Sequence, residues 1–165
     1  MKTKSQQLIY FLAFFVTVLL LAASNFLQIY RGINPCPLCI LQRMTLGLLS
    51  LIFLVGVTHP FKKWGTLGLG IVSLLISSLG IFFAGRQVWV QLFPGMQGGN
   101  CEVSLQYMLA ALPLDQVAKK IFAGSAACSQ VGWEFLRLSL AQWSLICFVL
   151  FLLFALWQLC RNQNK

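Results

Sequence analysis

At 165 residues the chain has the length of one domain. Its mean hydropathy of +0.82, with 59% hydrophobic and only 9% charged residues, excludes an ordinary soluble domain, in which about 25% of residues are charged. The net charge is +9, yet the cations sit at the ends of apolar runs and form no patch. They indicate orientation in a membrane and no nucleic acid partner.

Met1-Lys2-Thr3-Lys4 is a short basic start, and no charge follows from Ser5 to Tyr30. That run predicts a first membrane helix over about 8–29. A cleavable signal peptide is the rival reading, because Ala22-Ala23-Ser24 loosely resembles a cleavage site. The apolar stretch from Leu8 to Ala23 already exceeds the usual h-region, and Phe26 and Leu27 continue it, so the helix is preferred. Residues 30–37 read as a short loop, and about 38–57 as a second helix. Thr58 to Lys63 is a tight basic turn in which His59 is a polar turn residue.

Trp64 to Gly85 is a third uncharged run, expected as helix 64–85. Its Gly65, Gly68, Gly70, Ser73, Ser77 and Gly80 suit close helix packing in lipid. Then the composition changes. Residues 86–137 hold all three acids, Glu102, Asp115 and Glu134, together with Pro94 and Pro113, and form the only long non-spanning segment. Within it Val103–Leu112 and Leu114–Phe122 are too short to span and are expected as short interfacial helices on membrane lipid. A fourth uncharged run, 138–160, carries Trp143 and Trp157 near its ends as interfacial aromatics.

Four runs predict an all-α integral membrane protein, a four-helix transmembrane bundle forming one domain. Lys2 and Lys4, Lys62 and Lys63, and Arg161 and Lys165 fall on one side. The positive-inside rule makes that side cytoplasmic, so both termini lie inside and the loops 30–37 and 86–137 face out. Cys36 and Cys39 belong to the first loop, Cys101 and Cys128 to the second, and all four share the compartment where disulfides persist. Cys147 and Cys160 lie in the last apolar run and read as small hydrophobes.

The stretch from Pro35 to Arg43, Pro-Cys-Pro-Leu-Cys-Ile-Leu-Gln-Arg, organises the chain. A spanning helix needs ~20 mostly apolar residues, so one ending at Val57 must begin at the second cysteine. Arg43 is thereby drawn at least a turn into the membrane boundary. An arginine at the bilayer centre costs ~2.5 to 3.5 kcal/mol, less near the surface. Cys39 stands in the first helical turn, where free backbone N–H groups and the helix dipole favour an anion. Pro37 fits the first helical position. Arg43, four residues after Cys39, shares its face at ~5 to 6 Å between Cβ atoms. All three features favour the thiolate, the form that attacks and leaves in exchange.

Other uses of the cysteines fit less well. A zinc site would join the Cys-x-x-Cys pair to Cys101 and Cys128, which are not a second close pair, so no metal is expected. Haem attachment needs His after the second Cys, where Ile40 stands. Inert structural disulfides would leave Arg43 without a reason. Four cysteines allow three connectivities, and the residues alone leave these open. Oxidising a dithiol sends two electrons elsewhere, and the chain has no dinucleotide-binding or haem motif. A lipid-soluble quinone is the nearest acceptor. Arg43 could donate hydrogen bonds to a quinone oxygen and stabilise its developing charge.

The Cys-x-x-Cys motif between the first two helices, followed by a long outer loop with Cys101 and Cys128, resembles the DsbB family of bacterial disulfide bond formation proteins. So do Leu112-Pro113-Leu114-Asp115, Trp133-Glu134-Phe135 and Gln142-Trp143. The resemblance covers roughly residues 8 to 160. It implies an inner-membrane thiol oxidase that keeps the periplasm oxidising, with redox-active disulfides Cys36–Cys39 and Cys101–Cys128. It further implies that a DsbA-like thioredoxin-fold oxidase is engaged at Cys101 and that Cys128 relays to Cys36. Cys39 would then pass electrons to ubiquinone or menaquinone beside Arg43.

Two positions depart from the family pattern. Gln42 stands where some members have Glu, leaving Arg43 without a neighbouring counter-charge. Arg86 falls about where some members have histidine, and is read as a membrane-interface anchor ahead of a second quinone-side donor. The rival functions are the same chemistry with a dedicated client, a vitamin K epoxide reductase-like dithiol enzyme, and a non-catalytic scaffold whose disulfides brace its loops.

Overall fold

Lipid offers a backbone no hydrogen-bond partners, so a long charge-free run satisfies its own N–H and C=O groups as a helix. The computed structural model describes residues 2–31, 36–59, 63–93, 113, 116 and 134–163. In it the four apolar runs form α1 (Lys2–Arg31), α2 (Pro37–Thr58), α3 (Lys63–Leu92) and α4 (Leu140–Gln163). Each is long and apolar enough to cross a membrane. A small antiparallel hairpin, β1 (Glu134–Phe135) and β2 (Leu138–Ser139), precedes α4.

Neighbouring helices run antiparallel. Gln7, early in α1, donates to the Val57 carbonyl late in α2 at 3.4 Å. Gln42, early in α2, donates to Gln87 late in α3 at 2.6 Å. Gly70 and Gly80 of α3 approach Leu159 and Phe148 of α4, in that reversed order. α1 packs chiefly on α2, α2 on α3, and α3 most extensively on α4. Tyr10, Leu49, Phe53, Ala84, Phe148 and Phe151 form the buried core. Phe53 sits at its centre, with its ring 6.5 Å from Tyr10, 6.0 Å from Phe151 and 5.9 Å from Phe154. Leu8, Phe15, Leu51, Leu75, Leu150 and Leu153 are all more than half exposed. Such an apolar exterior suits lipid, which is as apolar as leucine itself.

The element ends differ from expectation in three places, of which one is the start of α1, at Lys2 and not at about 8. α3 continues past Gly85 to Leu92, because Arg86 to Leu92 contains neither glycine nor proline. The first charge in a sequence is no helix stop; the next breaker is Pro94. α4 begins at Leu140 and not at 138, since Leu138 and Ser139 pair with Phe135 and Glu134. The turn places Leu136 and Arg137 at φ 55° and 63°. Two successive left-handed residues close a two-residue hairpin with the twist its strands need, at ~1–2 kcal/mol for each non-glycine residue.

Ser139 ends this hairpin and caps α4. Its N–H donates to Gln142 Oε1 at 2.9 Å, and the Gln142 N–H donates back to Ser139 Oγ at 3.4 Å. This is a reciprocal capping box. The Ser139 hydroxyl also donates to Gln91 Oε1 in the last turn of α3 at 2.8 Å. The short interfacial helices expected at 103–112 and 114–122 lie outside the described residues, apart from Gln116, whose N–H donates to the Pro113 carbonyl at 3.0 Å.

Three expectations follow for detergent-solubilised protein, read as the thermal midpoint by circular dichroism. A Cβ at Gly80 would overlap the buried Phe148 ring, so Gly80→Ala should cost about 1–3 kcal/mol. Gly68, with open space around it, should accept alanine with no loss. Ser139→Ala removes the cap and the tie to α3, and should cost about 1 kcal/mol.

Candidate functional site

Cys36 occupies the N-cap of α2, extended at φ −68° and ψ 155°, and Pro37 takes the first helical position. The first turn closes with the Ile40 N–H on the Cys36 carbonyl at 3.2 Å. In this geometry an N-cap side chain reaches the free N–H groups just beyond it. The Cys36 sulfur accordingly accepts the Cys39 N–H at 3.3 Å, and the two sulfurs stand 2.8 Å apart. The helix terminus was expected to favour charge on Cys39; its N–H reaches the Cys36 sulfur instead.

Cys39 has a different donor. Gln87 Nε2, from the penultimate turns of α3, donates to its sulfur at 3.1 Å. Gln87 Oε1 accepts from Gln42, and Gln42 Oε1 in turn accepts from the Ser144 hydroxyl of α4 at 2.8 Å. Three helices are thus joined through side-chain amides at the level of the cysteine pair. Sequence reading missed Gln87 and Ser144. Polar residues inside an apolar run are the available signal, but their pairing depends on how each helix is rotated about its axis.

Arg43 lies six residues beyond the first helical position, ~9 Å along the axis at 1.5 Å per residue. Its guanidinium turns to α1, where Nη1 donates to Gln28 Oε1 and Nη2 donates to the Ser24 carbonyl at 2.9 Å. Neutral oxygens therefore take the place of a carboxylate partner, and Gln42 is engaged elsewhere. Arg43, Cys39, Gln42 and Gln87 line one cavity of about 200 Å³ at this end of the bundle. Leu20, Leu27, Leu46 and Phe148 supply apolar wall.

The structure thus brings Cys36, Cys39 and Arg43 to the same end of the bundle. Cys101 and Cys128 lie outside the described residues. Cys147, read as a core filler, is part of the cavity wall, whereas Cys160 is exposed on α4. Arg86 does not line the cavity; its neighbour Gln87 does. Chemically, the arrangement offers a dithiol, a fixed cation and amide donors around a largely apolar space.

Comparison with known proteins gives this geometry a family. The model of the family described as disulfide bond formation protein DsbB matches residues 6–158. A protein of Azoarcus sp. named disulfide bond formation protein B is 43% identical over 140 residues, covering 85% of this chain and 84% of that one. Proteins of the same name from Psychrobacter sp. and Nitrosococcus oceani are 41% and 35% identical. These two matches cover 94% and 93% of this chain, and 92% and 91% of the relatives. No solved structure matches the chain. With four helices able to span and this match over nearly its whole length, the chain belongs to the DsbB family of disulfide bond formation proteins, multi-pass proteins of the bacterial inner membrane.

Proposed function

We propose that the chain is a thiol oxidase that reoxidises a DsbA-like periplasmic thioredoxin-fold protein and passes the electrons to a membrane quinone. One observation carries the reading. A dithiol with its sulfurs 2.8 Å apart adjoins, through Cys39, a membrane-level cavity that also holds a guanidinium. The family name supplies the disulfide chemistry, and the cavity supplies a place for an acceptor.

A cavity of about 150 Å³ holds a benzene ring, so the one beside Cys39, at about 200 Å³, suits the ring of ubiquinone or menaquinone. A guanidinium has five N–H donors. With Gln28 and Ser24 holding Arg43 in place, its remaining donors serve an oxygen of the ring. A quinone held there would supply the acceptor for the two electrons and two protons released as the Cys36 and Cys39 thiols close to a disulfide. Cys39 faces the acceptor, and Cys36, at the helix cap, is the sulfur that receives the relay. In this reading Cys101–Cys128 is the second redox disulfide. Cys101 exchanges with the periplasmic partner and Cys128 with Cys36, each by direct sulfur contact. The basic ends of the helices lie in the cytosol, and the cysteine end faces the periplasm.

Purified in detergent with a short-chain ubiquinone, the protein should reoxidise a reduced thioredoxin-fold protein, and Cys36→Ser should abolish turnover. Full turnover in that variant would refute the relay. Arg43→Met should raise the KM for quinone about tenfold, the size of one lost charge-assisted hydrogen bond. An unchanged KM would remove Arg43 from the acceptor site. A topology reporter fused after Thr58 should report the cytosol; a periplasmic signal would overturn the orientation.

A further inference from the structure

Amides buried in an apolar bundle are costly unless each polar group is bonded. Gln42 and Gln87 are only 8% and 5% exposed. Their bonds form a single file from α4 to a sulfur, Ser144 to Gln42, Gln42 to Gln87, and Gln87 to Cys39, at 2.8, 2.6 and 3.1 Å. Every donor in that file points toward Cys39. The Ser144 hydroxyl has a second acceptor, the Ala141 carbonyl, also at 2.8 Å. With its proton placed there, the Ser144 oxygen can accept. Once both amides turn over, the file runs in reverse and the Cys39 S–H becomes the donor. The same residues can therefore satisfy Cys39 with or without its proton.

We propose that Gln87, held by Gln42 and Ser144, is a positioning residue that stabilises the Cys39 thiolate and readies it for exchange. The role rests on the reading of Cys36–Cys39 as the redox pair. An N–H donated to an anion is about twice as strong as one donated to a neutral group, so the bond favours the charged sulfur. The two sulfurs are then served separately. Cys36 takes its N–H from the cap of its own helix, and Cys39 takes one from α3. The family's motif supplies the first donor, whereas the second depends on side chains of this bundle far away in sequence.

The test is alkylation of Cys39 by iodoacetamide in the full-length protein in detergent, followed by mass spectrometry of the Cys39 peptide. A Cys36→Ser background removes the competing sulfur. At pH 7, Gln87→Met, which keeps the length but lacks the N–H, should slow alkylation about tenfold. At pH 10, where the thiolate no longer needs support, the deficit should vanish. Gln42→Met removes the brace but not the donor and should slow alkylation less, about threefold.

A pH 7 rate within twofold of the parent in Gln87→Met, or an equal loss at both pH values, would overturn the role. Should Gln87→Met lose its helical spectrum, Gln87→Leu, which also lacks the N–H and adds no charge, reads the same effect with the same two outcomes. This readout needs no turnover. Unchanged alkylation, while the protein that retains Cys36 turns over with quinone, sinks the positioning role alone; slowed alkylation, while the protein that retains Cys36 is inert toward quinone, sinks the oxidase reading alone.

Discussion

A guanidinium placed below the start of a membrane helix must find its acceptors within the protein, because the surrounding lipid has none. Among the described residues, Arg43 meets that demand without an acid. The chain's three carboxylates, Glu102, Asp115 and Glu134, all fall outside α1 to α4. Gln28 and the Ser24 carbonyl serve instead, and α1 is thereby clamped to α2 at the level of the cysteine pair. A carboxylate there would neutralise the cation. Neutral oxygens orient it and leave its charge available.

The buried amides Gln42 and Gln87 and the Arg43 guanidinium gather at one end of the bundle, whereas the buried hydroxyls of Thr17, Ser50, Ser73 and Ser77 are spread along it. Towards the other end, the interior rests on aromatic packing around Phe53 and on the close approach of α3 and α4 at Gly70. At the cysteine end, hydrogen bonds do the joining: Arg43 ties α1 to α2, Gln42 and Gln87 tie α2 to α3, and Ser144 brings in α4. The groups that hold these helix ends together are the groups that surround the sulfurs. Disturbing one helix end would therefore reach the cysteine pair through side chains, whereas disturbing the aromatic half would first loosen packing.

Features set by neighbours in sequence were legible from the residues alone. Charge-free runs mark four helices, Pro37 marks the start of α2, and the position of Arg43 follows from the length needed to span. What escaped depends on distance along the chain. Gln87 lies 48 residues from Cys39, and Ser144 lies 102 from Gln42; their meeting requires the rotation and depth of three helices at once. The end of α3 was missed because charge was taken as a boundary where only proline breaks a helix. The hairpin before α4 was missed for the opposite reason: Leu136 and Arg137 are poor candidates for left-handed backbone. The Ser139–Gln142 capping box was missed as well, although Ser-Leu-Ala-Gln carries its spacing.

That hairpin has a mechanical side. Through Ser139 it is pinned to Gln91, two residues before Phe93, the last residue described at the close of α3. The two ends that flank residues 94–133 are therefore fastened together at one rim of the bundle, whatever course the chain between them takes.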